Sequence, residues 1–129
     1  MPVTHHSHGK FDGDLRFGHA AEQQIVDLFE GRKKIEVKAD RLWDATGNIA
    51  FEVEYQRRPS GVFATEADWF IQVLTLNGAM YGALVFESES LRVNLTHMMQ
   101  TGRARVVYGG DNGSSKLALV KLTHLCDLF

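Results

Sequence analysis

The spacing of apolar and polar positions changes along the chain, and each change marks an element. From Gly18 to Glu30, Ala21, Ile25, Leu28 and Phe29 fall on one helical stripe, and Gly31 is placed to stop the helix. Two runs with period two follow. Ile35, Val37 and Ala39 alternate with Glu36, Lys38 and Asp40. Ile49, Phe51, Val53 and Tyr55 alternate with Ala50, Glu52, Glu54 and Gln56. Alternation of this length predicts strands, and the Asp44–Asn48 stretch between them has turn chemistry, so the pair reads as an antiparallel hairpin over 34–41 and 49–56.

Pro59-Ser60-Gly61 ends the second strand. Thr65 is placed to cap a helix over 66–76, with Asn77-Gly78 as its stop. Met80–Phe86 is an apolar run that reads as a buried strand. A helix capped by Ser88 or Ser90 is expected to run to about Gln100 and stop at Gly102. Strands are expected at Arg105–Tyr108 and Leu117–Leu122, around a glycine-rich loop. The order predicts an α/β sandwich with a mixed sheet.

Residues 1–17 are polar and rich in His, Gly and Asp, and are expected to form a flexible arm before a single domain at 18–129. His5, His6 and His8 lack the Cys or second His pair that would complete a zinc pattern. The length of 129 residues suits one domain with a real core. The single cysteine, Cys126, excludes an internal disulfide and fits a reducing compartment. It reads as a small buried hydrophobe. No apolar run is long enough for a bilayer, and the N-terminus lacks the apolar stretch of a signal peptide, so a cytoplasmic location without membrane contact is expected.

A net charge of −2 does not suggest a nucleic-acid binder, but clustered carboxylates can mask basic groups. Arg32, Lys33, Lys34, Lys38 and Arg41 lie close together, as do Arg57 with Arg58 and Arg103 with Arg105. No nucleophile elbow and no Walker-type phosphate loop is present, and no organic cofactor is expected.

If the hairpin turns near Thr46, Asp40 lies opposite Glu52 and Lys38 opposite Glu54, with Cβ atoms about 5 Å apart. Two carboxylates so close repel unless a cation lies between them, and Mg²⁺ suits two carboxylates, waters and a substrate phosphate. A neighbouring lysine can stabilise charge building on that phosphate. The same pattern also fits an exposed hairpin face on which Lys38 simply neutralises Glu54.

At these residues the chain resembles the PD-(D/E)xK nuclease superfamily, which includes restriction endonucleases and Holliday-junction resolvases. Glu36-Val-Lys38-Ala-Asp40, Thr46-Gly47-Asn48, Glu52-Val-Glu54, Ser60-Gly61 and Thr65-x-Ala67-Asp68-Trp69 look like small phage-encoded members. The resemblance covers roughly residues 18–90. It implies a restriction-endonuclease-like mixed sheet flanked by helices, with core order αββαβ and a C-terminal extension. It also implies a DNA endonuclease that uses Mg²⁺ or Mn²⁺, in a host cytoplasm if phage-encoded. Asp40 and Glu52 would hold the metal. Glu54 stands where lysine is usual, as a further ligand, and Lys38 would supply the missing amine. Glu22 matches a helix glutamate found near the metal in many members. Lys34, Arg57, Arg58, Ser60 and Thr65 are the candidate DNA contacts. Symmetric duplex cutting by so small a chain favours a homodimer. Two other readings stay open: a DNA- or protein-binding module on the same fold, and a phage structural or assembly protein.

Overall fold

The computed structural model describes residues 8–129, apart from the side chains of residues 8–12, Asp14 and Asp111. His5 and His6 therefore lie outside the described residues. The first helix, α1, spans His8–Phe29 and so begins well before Gly18. Strong helix formers from Ala20 to Gln24 anchor it, and the glycines at 13 and 18 weaken a helix without forbidding one. It lies in a unit that ends at Lys33, and Lys34–Phe129 forms a second unit. Ile25 and Phe29 of the expected stripe are exposed.

The second unit is mixed α/β with two sheets. β1 (Ile35–Asp40) pairs in parallel with β4 (Trp69–Leu76), and β4 pairs antiparallel with β5 (Ala79–Glu87). The other sheet is antiparallel, in the order β3 (Arg58–Pro59), β2 (Asn48–Tyr55), β7 (Ser115–Lys121), β6 (Ala104–Gly109). The expected hairpin between residues 34–41 and 49–56 is thus absent, because β1 and β2 belong to different sheets. A short helix, α2 (Trp43–Thr46), occupies the connection and ends at Gly47, whose φ is 70°. The side chain of Asp40 accepts the Leu42 N–H at 3.0 Å, a local Asx turn that directs the chain away from a tight reversal.

The helix expected over 66–76 is strand β4 instead. Phe70, Gln72 and Leu74 alternate inward along it, and β-branched and aromatic side chains fill most other positions. Asn77-Gly78 is a hairpin turn rather than a helix stop: both residues have positive φ, 52° and 77°, as a type I′ turn requires. Thr65 caps only a local turn, accepting the Ala67 N–H at 3.1 Å. The expected core order αββαβ fails at this element.

The later elements fall where the pattern puts them, but β5 is not the buried strand expected: it is a sheet edge on which Met80 and Tyr81 are exposed and only Phe86 is buried. α3 (Ser88–Gln100) buries Leu91, Leu95 and Met98 in one cluster with Ile49, Phe51, Phe70, Ala118 and Val120. Its cap is Glu87, whose carboxylate accepts the N–H groups of Glu89 and Ser90, not Ser88 or Ser90 as expected. Cys126 is exposed, because the last residues form 3-10 turns that send Leu128 into the core instead.

Candidate active site at the seam between the sheets

β2 has one edge paired to β7 along its length, interrupted by a bulge at Val53, while on its other edge β3 reaches only Glu54 and Tyr55. The outward N–H and C=O of Ala50 therefore lack a strand partner, and buried backbone groups require one. Side chains from the other sheet supply it. Asp40 Oδ2 accepts the Ala50 N–H at 2.9 Å, and Gln72 Nε2 donates to the Ala50 carbonyl at 3.1 Å. Asp40 is only 7% exposed and Gln72 only 3%. The seam is thus a built polar contact. Thr75 Oγ1 adds a bond to the Asp40 carbonyl at 3.3 Å, and Trp43 Nε1 donates to the Thr75 carbonyl at 2.9 Å. Trp43 also stacks on Tyr81 and packs against the core, so its role is structural.

A cavity of about 240 Å³ opens at this seam, lined by Lys38, Ala39, Ala50, Glu52 and Gln72 among others. Lys38 reaches it from β1, where it is the register partner of Gln72. Glu52 reaches it from β2, two residues beyond Ala50 and hence about 7 Å along the strand. The Glu52 carboxylate is held from both sides: Ser60 Oγ donates to Oε2 at 2.7 Å and Ser115 Oγ to Oε1 at 3.0 Å. Gly61 sits against the same strand with φ 54°, and a Cβ there would lie 2.3 Å from the Glu52 carbonyl oxygen. Only glycine allows that approach.

Lys38, Asp40 and Glu52 are therefore gathered at one seam, but by a route other than a hairpin register. Asp40 faces inward, so the face of the first strand expected to be polar and outward is the one turned to the seam. Glu54 does not join them. A bulge between Glu52 and Glu54 shifts the register, and Glu54 turns to Lys116 at 3.6 Å, beside Val53 and Phe63. The expected neighbourhood of Lys38 and Glu54 is thus replaced by Lys38 and Glu52. Glu22 is an exposed residue of α1, in the other unit.

Of the expected DNA contacts, Lys34, Arg57 and Arg58 are exposed, the arginines at the β2–β3 turn where Gln56 and Arg57 have positive φ. Ser60 is engaged with Glu52, and Thr65 with its own turn. Gln72 and Ser115 are residues that sequence reasoning missed, and Ser115 carried no sequence signal. The signal for Gln72 was a lone amide at an inward position of an apolar run.

The donors at the seam are carboxylate oxygens. Each carboxylate of Asp40 and Glu52 accepts two hydrogen bonds and keeps lone pairs free. Carboxylate oxygens are the ligand type that Mg²⁺ or Mn²⁺ take, with water completing the shell. Among the described residues, no group of three or more His, Cys, Asp or Glu side chains converges. Comparison with protein-family models, curated proteins and solved structures found no match.

Proposed function

We propose that this chain is a metal-dependent deoxyribonuclease that hydrolyses phosphodiester bonds at the seam between its two sheets. The observation that supports the reading is a cavity lined by Lys38 and Glu52 from two different sheets, with Asp40 buried beside it on the Ala50 N–H. Asp40 and Glu52 would hold a divalent ion, which when bound supplies Lewis-acid polarisation of a phosphate. The chain's own groups do the remaining positioning. Ser60 and Ser115 fix the rotamer of Glu52, and Gln72 and Asp40 fix the strand that carries it. Lys38 places a compact positive charge where negative charge develops on the phosphate oxygens. As part of the same proposal, the active form is a C2 dimer, which lets two such sites address both strands of a duplex.

The test is incubation with plasmid and four-way-junction DNA, with and without Mn²⁺, followed by single-turnover rates. Lys38→Ala is expected to cut about a hundredfold more slowly while remaining folded, a plausible loss for one charged group. Glu54→Gln, on the other side of the bulge, is expected to stay near wild type. Absence of metal-dependent cleavage on every DNA would leave a binding module, and a folded Lys38→Ala that cuts at the wild-type rate removes the lysine from the chemistry.

A further inference from the structure

A larger cavity, about 730 Å³, lies at the β6–β7 end of the antiparallel sheet, away from the residues considered above. Its lining includes Asn48, Arg103, Arg105, Leu119, Lys121 and His124, with no acidic side chain among the lining residues. Arg103 is held by Asp127, whose carboxylate it meets through both Nε and Nη2. Among the described residues, neither Arg105 nor Lys121 forms an ion pair, and both are exposed. His124 Nδ1 is buried without a hydrogen-bond partner. An open cavity with two uncompensated cations and a third fixed by a carboxylate is built to receive an anion.

The sheet register says how far this cavity lies from the seam. Lys121 pairs with Asn48, and Arg105 pairs with Leu119, which in turn pairs with Ala50. Ala50, Leu119 and Arg105 thus form one row across three strands, and alternation puts Lys121 on the same face as Leu119. Arg105 is two strand spacings from Ala50, about 10 Å, and Lys121 is a similar distance away, two residues along β7 and one strand across. Successive phosphates of one DNA strand rise roughly 3.4 Å along the helix axis and also turn about it, so through space they lie farther apart and the cavity stands about one or two phosphates from the seam.

We propose that Arg105 and Lys121 bind the DNA backbone about one or two phosphates from the one addressed at the seam. This rests on the nuclease reading for its second anchor point, but binding and cleavage are read separately. A labelled short duplex is titrated by anisotropy in EDTA at several salt concentrations. Arg105→Ala combined with Lys121→Ala is expected to weaken binding about tenfold to a hundredfold and to reduce the slope of log affinity against log salt by roughly 1.8, at 0.9 per lost phosphate contact. Arg105→Lys is expected to keep the slope, which a merely structural arginine would not predict. Inorganic phosphate at millimolar concentration serves as the competing probe. Unchanged affinity and slope in the folded double variant overturn the proposal. So does a wild type that binds no DNA, or that binds only free phosphate through these residues. A wild type that binds through them yet never cleaves leaves this site standing and removes the nuclease.

Discussion

Replacing Asp40 by Asn exchanges one carboxylate oxygen for an NH₂ group and probes the seam and the proposed metal site together. In the folded protein the carboxylate accepts the N–H groups of Leu42 and Ala50 at 3.0 and 2.9 Å, in a position only 7% exposed. The amide can satisfy one of these donors through its oxygen, but it turns its own NH₂ toward the other. One charge-assisted bond is lost and one buried N–H is left facing a donor, which together cost about 2–4 kcal/mol. For a chain of this length each kcal/mol moves Tm by about 3–5 °C, so thermal unfolding without metal is expected roughly 6–20 °C lower. Metal adds a second reading. At a hundred times its Kd a ligand that binds only the folded state stabilises by about 2.7 kcal/mol, so wild type is expected to gain Tm on adding Mn²⁺. Asp40→Asn is expected to lose that gain as well as its basal stability. Glu52→Gln is the complement: its carboxylate is held by two serine hydroxyls in a half-buried position, so the basal Tm is expected to move little while the Mn²⁺ gain disappears. Calorimetry of the three proteins, with and without Mn²⁺, measures all of this. A basal Tm of Asp40→Asn equal to wild type refutes the seam argument. An equal Mn²⁺ gain in all three refutes the metal site alone.

Gly61→Ala is expected to destabilise by about 2–4 kcal/mol, combining a left-handed backbone conformation with overpacking against the Glu52 carbonyl, and urea unfolding reads it directly. It is also expected to slow cleavage, because the strand carrying Glu52 must shift. Glu87→Ala removes the cap of α3; the Glu87 carboxyl lies below the usual range because of the Ser90 side chain first and the Ser90 N–H second. A depressed folded pKa adds stability above the unfolded value near ~4.3 and loses it as pH falls through the folded value. The Tm gap between wild type and Glu87→Ala is therefore expected to be full at pH 6 and to narrow below pH 4, and a gap that widens on acidification contradicts the capping role.

The elements set by local chemistry were legible in the residues. Alternation alone located β2, with Ile49, Phe51 and Val53 buried as expected, and the helical stripe of α3 delivered Leu91, Leu95 and Met98 to the core. What was not legible was pairing. Nothing in Ile35–Asp40 says whether its partner follows directly or comes thirty residues later, and the parallel partner β4 itself resembled a helix because an eight-residue apolar run satisfies both periods. Asn77-Gly78 between two apolar runs was the better clue, since a type I′ hairpin explains it more fully than a helix stop does. Glu54 was misplaced for a similar reason: a bulge has no reliable sequence mark, and it breaks the simple rule that residues two apart share a face.

Lys38, Asp40 and Glu52 lie near the seam despite the changed topology, and the reason is physical. A strand edge with free N–H and C=O groups is a liability, and this one is closed by side chains instead of by another strand. Side-chain closure leaves space that a strand would fill, which is where the cavity lined by Lys38 and Glu52 opens. It also requires polar residues at inward positions, Asp40 on β1 and Gln72 on β4, where packing alone would select apolar ones. The same departure from apolar packing that joins the sheets thus brings a carboxylate, an amide and a lysine to the edge of the strand bearing Glu52. On the proposed reading, stability and chemistry share Asp40: a substitution that removes its carboxylate also opens the β2 edge, so neither role can be altered without cost to the other.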